Sequence, residues 1–234
     1  DVQTLNQWAI QKKLDISKIS YGVLPLVEKD YSLLSSGGAL GKGVGPLLIS
    51  KKKISAREIN DLIIAIPGEN TTAHLLFSLA FPQAKNKKFM LFSSIEEAVL
   101  KEEVNAGVII HENRFTYREK GLQKIMDLGE YWEQKTHVPI PLGGIIIKKT
   151  IDPLVAEETD QLIRQSVEYA YEHHYTELTS YVKAHSQEMS EAVMRQHIDL
   201  YVNDYSKDLG PDGKTAVQTL FNVFKKINNV DEAP

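Results

Sequence analysis

Residues 62–82, LIIAIPGENTTAHLLFSLAFP, and residues 89–110, FMLFSSIEEAVLKEEVNAGVII, decide the fold of this chain. Residues 62–66 form an unbroken apolar run closed by Pro67-Gly68, the mark of a strand buried on both faces. Residues 71–81 carry an apolar helical pattern that Pro82 ends. A short strand follows at 89–92. Ser93-Ser94-Ile95-Glu96-Glu97 holds two overlapping capping boxes ahead of an amphipathic helix that runs to about residue 104. Residues 106–110 form another buried strand. Strand, helix, strand, helix, strand is the pattern of a parallel sheet with crossover helices.

Outward from this unit the pattern changes. Residues 1–14 have helical spacing, 16–23 are β-rich and run into a short helix, and 31–35 and 47–50 read as strands. Ser55-Ala56-Arg57-Glu58 matches a capping box. A further strand covers 143–148. Asp152-Pro153 then supplies a helix cap and a first-turn proline, and the rest reads as helices at about 153–174, 176–187, 190–203 and 212–228. Neither flank can form a domain alone. The expected organisation is therefore α/β with two lobes: residues 1–53 with 140–234 in one, and a parallel α/β lobe at 54–139. A ligand cleft lies between them, where small molecules usually sit.

The 234 residues hold 27 basic and 31 acidic side chains, a formal charge of −4, and no cysteine. About 150 residues per domain allows one large domain or two lobes. A 42% apolar content excludes disorder as the main state, and no apolar run approaches the ~20 residues of a membrane span. The negative charge argues against nucleic acid as a partner. The only tight basic cluster, Lys51-Lys52-Lys53, reads as a solvated turn. The absence of cysteine excludes a disulfide scaffold and a thiolate zinc site, and no leader peptide is visible. Asp1 reads as the cap of a helix already beginning, so the front of the first lobe is expected to be missing.

Three stretches could carry chemistry. The segment 36–46, SGGALGKGVGP, holds five of the 14 glycines. It fails both the phosphate-loop and the dinucleotide patterns, which leaves a backbone that approaches a ligand or hinges between lobes, or else a plain turn. Pro67-Gly68-Glu69-Asn70-Thr71-Thr72 joins a buried strand to a helix. The free N–H groups and positive dipole end of that helix favour an anion, and Thr71 and Thr72 add hydroxyls that could grip a carboxylate. Capping alone would also explain them. His111 follows a buried strand, where sheets of this kind place ligands, and an imidazole suits proton transfer at neutral pH. A structural histidine remains the alternative. The other six histidines, His74, His137, His173, His174, His185 and His197, have no partner at metal-ligand spacing and read as structural or surface residues.

Several segments together resemble the 1,4-dihydroxy-6-naphthoate synthase family. They are Asp1-Val2-Gln3-Thr4-Leu5-Asn6, Lys18-Ile19-Ser20-Tyr21, the Gly-rich segment through Leu47, Pro67-Gly68 with Thr71-Thr72, residues 106–117 (AGVIIHENRFTY) and Pro139-Ile140-Pro141-Leu142-Gly143, in the same order over nearly the whole chain. The resemblance implies a fold like the type II periplasmic binding proteins, used as an enzyme of the futalosine route to menaquinone (vitamin K2). It implies a cytoplasmic lyase that converts cyclic dehypoxanthine futalosine to 1,4-dihydroxy-6-naphthoate, with a small anionic substrate as its only partner and no metal or organic cofactor. Carried over by position, His111 is the proton acceptor, and Lys18, Ile19, Ser20, Thr71 and Thr72 bind substrate. The family's opening strand and the motif after it have no counterpart here. A chorismate dehydratase-like sibling enzyme, or a non-catalytic solute-binding protein for a small carboxylate, are the alternatives.

Overall fold

A computed structural model describes residues 1–186 and 190–228. Residue 187, at the end of the helix expected over 176–187, and residues 229–234 of the expected first lobe lie outside the described residues. Helix α1 (Val2–Ile10) is capped by the Asp1 carboxylate, which accepts from the Gln3 N–H at 3.1 Å. Strand β1 (Ile16–Ser20) leads into helix α2 (Leu24–Val27), and β2 (Tyr31–Leu33) and β3 (Ala39–Gly41) follow. All three strands pair antiparallel with the long strand β9 (Ile140–Lys148), which forms the middle of the first sheet. Residues far apart in the chain thus make one sheet.

The second sheet has the order β6-β5-β7-β4-β8, with β4 at Leu47–Ser50, β5 at Ile64–Ile66, β6 at Lys87–Phe89, β7 at Ala106–Ile109 and β8 at Gln123–Asp127. Strands β5 and β7 are buried along their whole length. That is why they read as apolar runs and not as alternating ones. Strand β6 sits at the sheet edge and carries Lys87 and Lys88, charges that discourage pairing with another chain. Helix α3 (Thr72–Ala80) joins β5 to β6, and α4 (Ile95–Leu100) joins β6 to β7.

Two expectations need correction. The expected first lobe, residues 1–53, includes strand β4, but β4 pairs with β7 and β8 of the second sheet. The chain therefore crosses at Gly45-Pro46, and β4 runs antiparallel to both neighbours. The sheet is mixed, not parallel throughout. The capping boxes expected at Ser93 and Ser94 are also absent: Ser94 makes no side-chain cap bond, and Glu96 turns inward to accept from Asn113 and, at 2.7 Å, from Lys120. The box at Ser55 and Glu58 does form, on a 3₁₀ turn.

The crossing is tightly built. A Cβ added to Gly45 would lie 2.2 Å from the Gly129 Cα, so the two backbones touch. Gly129 stands in the first turn of helix α6 (Leu128–Thr136), behind the short helix α5 (Asn113–Thr116) and β8. Asp127 caps α6 at the N–H groups of Gly129 and Glu130 and binds Arg114 at 2.6 Å; Arg114 also donates to the Gly45 carbonyl. The return crossing passes Trp132, fully buried, whose indole N–H donates to the Pro139 carbonyl.

The tail is helical: α7 (Pro153–His174), α8 (Ser180–His185), α9 (Glu191–Tyr201), α10 (Asp204–Lys207) and α11 (Gly210–Ile227). Helix α11 buries Ala216, Val217 and Leu220 in the main core, and α9 lies against β3. Among the described residues no helix is long and apolar enough to cross a membrane.

Candidate active site

The buried strand β7 ends one residue before Ile110, and His111 then takes a left-handed backbone (φ 57°) to turn into the α5 region. A non-glycine residue held there costs energy that the surroundings must supply, a feature that gathers at functional sites. The turn is fixed from below, since Arg114, one helical turn on, is tied to Asp127 and Gly45. Phe92 meets the His111 ring edge to face at 5.3 Å. Burial, reinforced by the nearby His197 and Lys18, pushes the His111 pKa down to about 4. The ring is therefore neutral at physiological pH and free to accept a proton.

Opposite stands β1. Ile19 and Ser20 are buried and Lys18 is exposed toward the cleft. Burial of the Lys18 stem among neighbouring elements lowers its pKa from the ordinary lysine value. Asn6, fully buried on α1, holds this strand in place. Its side chain accepts from the Ser20 N–H at 2.8 Å and donates to the Ser20 hydroxyl at 3.0 Å and the Asn70 carbonyl at 2.7 Å. One amide thus locks β1 to the loop that precedes α3.

The paired threonines differ from expectation in how they act. The Thr71 hydroxyl donates to the Gly68 carbonyl at 2.8 Å and accepts from the His74 N–H at 3.2 Å. The Thr72 hydroxyl donates to the Leu142 carbonyl at 2.9 Å and accepts from the Gly22 N–H at 3.0 Å. Both hydroxyls are committed to the fold. What the segment offers an anion is the opening turn of α3, with its unshared backbone N–H groups and positive dipole end. Gly22 is required here because a Cβ would come within 2.9 Å of the Thr72 nitrogen.

All six residues singled out from the sequence, Lys18, Ile19, Ser20, Thr71, Thr72 and His111, line one pocket of about 140 Å³. Val44, Pro46, Ile110 and Leu142 add apolar walls suited to an aromatic ring. Behind Lys18 and Ala39 a wider hollow of about 520 Å³ continues toward α7. The Gly-rich segment forms part of the wall, with Gly37 (φ 75°) and Gly43 (φ 70°) in conformations that suit glycine. Sequence reading missed two residues on this wall: His197 and Tyr201 of α9 face the same pocket, with their rings 4.6 Å apart. His197, expected to be a structural or surface residue, has its ring centre 5.9 Å from that of His111. Burial raises the Tyr201 pKa to about 12. Nothing in their spacing announces them, because an unpaired histidine on a helix looks the same wherever the helix lands.

Comparison with known proteins bears on this site. A family model described as menaquinone biosynthesis matches residues 1–226. The chain is 42% identical over 221 residues to a 1,4-dihydroxy-6-naphthoate synthase of Thermus thermophilus, covering 94% of this chain and 80% of that protein. It is 40% identical over 225 residues to the enzyme of the same name from Streptomyces coelicolor, covering 94% and 79%. A crystal structure of an Archaeoglobus fulgidus protein superposes with a TM-score of 0.91 at 32% identity, covering 98% of this chain and 85% of that one. The ligand-binding component of an ABC-type import system from Staphylococcus aureus shares the fold, with a TM-score of 0.65 at 12% identity over 99% and 79% of the two chains. The architecture is thus that of the periplasmic solute-binding proteins.

Proposed function

This chain belongs to the menaquinone biosynthesis family, and we propose that it is a cytoplasmic lyase that converts cyclic dehypoxanthine futalosine to 1,4-dihydroxy-6-naphthoate with His111 as general base. The observation that carries the reading is the His111 ring itself: neutral, held on a left-handed turn, and set in one pocket with a lysine and a helix start. In this proposal the substrate carboxylate lies at the opening turn of α3, within the field of Lys18. Its aromatic ring rests on the apolar wall.

His111 takes a hydroxyl proton from the sugar-derived part. The oxygen's electron pair closes to a carbonyl, the adjacent carbon–carbon bond breaks, and its electrons pass to a conjugated carbonyl oxygen of the aromatic precursor. His111 hands the proton it took to that oxygen, which releases the naphthoate and restores the neutral ring. Closure of the lobes about the Gly-rich segment excludes water while charge moves. Partners are confined to this small anion, with neither nucleic acid nor membrane involved.

The test is incubation of the protein with cyclic dehypoxanthine futalosine and detection of the naphthoate by mass. His111→Ala is expected to lower kcat roughly 10²–10⁴-fold with modest change in KM, the range of a lost general base. Normal turnover by that variant, or turnover of chorismate in place of the futalosine derivative, would overturn the assignment.

A further inference from the structure

We infer that His197 is a second catalytic residue, whose neutral ring donates an N–H hydrogen bond to the substrate oxygen on which negative charge gathers as His111 takes its proton. The inference rests on the proposed reaction and deepens it. Three observations support it. His197 lines the same pocket as His111, Lys18 and Thr72, and its ring centre is 5.9 Å from that of His111. Its Nδ1 is buried and has no hydrogen-bond partner among the described residues. A buried polar nitrogen without a partner is costly in a folded chain, and in the proposal the imidazole turns as the lobes close on the substrate, whose oxygen supplies the missing partner. The Tyr201 ring, 4.6 Å away along α9, packs against the imidazole at a tilt of 42°.

The electrostatic surroundings favour the neutral form. Lys18 of β1 and His111 face His197, as does Glu112 beyond β7. Tyr201 lies a turn along α9, and Tyr181 and His185 of α8 share the outer hollow with it. Burial is the largest influence and lowers the His197 pKa, Lys18 adds to this, and Glu112 opposes it. Once His111 is protonated, a second imidazolium beside it is disfavoured by like-charge repulsion. His197 therefore remains neutral at the moment charge develops, and a neutral imidazole N–H can polarise a carbonyl, as it does in triosephosphate isomerase. No proton leaves His197. The proton removed from the substrate waits on His111 until the oxygen that His197 contacts, where the electron pair ends, takes it back.

The experiment compares His197→Leu and His197→Asn with the unaltered protein on cyclic dehypoxanthine futalosine. The Asn amide places an N–H donor near the position of Nδ1, and Leu places none. Leu is expected to lower kcat about 10²–10³-fold, the cost of removing one such donor, with KM changed less than about threefold, while Asn restores at least about tenfold of that loss. In the Asn variant the acid limb of the kcat profile moves up in pH, because in acid the His197 ring is itself protonated and its charge, which lowers the His111 pKa, is gone. In the unaltered protein kcat stays level just above neutrality, since no histidine proton is consumed, and that profile requires no variant to fold.

Turnover by the Leu variant equal to that of the unaltered protein overturns the inference. So does an alkaline limb that the Asn variant abolishes, which would make His197 a proton donor, and so does an Asn variant as slow as Leu at equal thermal stability. If the unaltered protein makes no naphthoate, the parent proposal fails, a result distinct from any of these.

Discussion

At residue scale the site combines a base kept neutral with a cation kept near. Among the described residues, Lys18 is the one lysine, arginine or carboxylate side chain on the wall of the His111 pocket, and its field is among the influences that lower the His111 pKa. In the proposed reaction it would draw the anionic substrate, and it adds to the burial that keeps the imidazole unprotonated. Lys18→Met should raise KM for the anion about 10–100-fold, in line with the loss of a charge-assisted contact of roughly 1.5–3 kcal/mol. It should also move the acid limb of kcat upward. Steady-state kinetics across pH checks both, and a KM unchanged by the substitution would remove Lys18 from the binding role. The threonines show what residue type alone misses. Their hydroxyls have the chemistry to grip a carboxylate, yet each is committed at both its donor and its acceptor side.

At the scale of elements the crossing between sheets is the most constrained feature. Gly45 and Gly129 touch backbone to backbone, and Arg114 closes the contact from below through the Gly45 carbonyl and Asp127. Gly45→Ala must push β4 from the start of α6, and backbone cannot yield as a side chain can. A loss of at least about 3 kcal/mol in urea unfolding is expected, the upper end for overpacking. A loss below about 1 kcal/mol would mean that the crossing bends freely. The Gly-rich sequence is compatible with a close approach of backbone and with a plain turn, and the structure shows the close approach, set by residues that no spacing rule connects.

For the whole molecule, the neutral His111 links site to stability. Its pKa is about 4 in the fold and near ~6.5 unfolded, so the unfolded chain binds the proton more readily. The stability contributed by the neutral His111 is at its full value above about pH 6.5, falls as pH drops through the interval to 4, and changes no further below that. One proton contributes at most about 1.4 kcal/mol per pH unit. Thermal unfolding of His111→Leu should show a shallower dependence between pH 6.5 and 4 than the unaltered protein. Equal slopes would show that the imidazole is not held neutral.

The sequence by itself determined the strand–helix–strand rhythm of residues 62–110 and the placement of His111 at a strand end. These are local matters of apolar period, caps and breakers, which act within a few residues. It could not determine that β4 would pair antiparallel in the other sheet, or that α9 would bring His197 and Tyr201 against His111. Pairing partners and the resting place of a helix depend on contacts between distant residues, where many arrangements satisfy the same local pattern. Only packing of the whole chain selects among them, and that packing turned a lone helical histidine into a wall of the site.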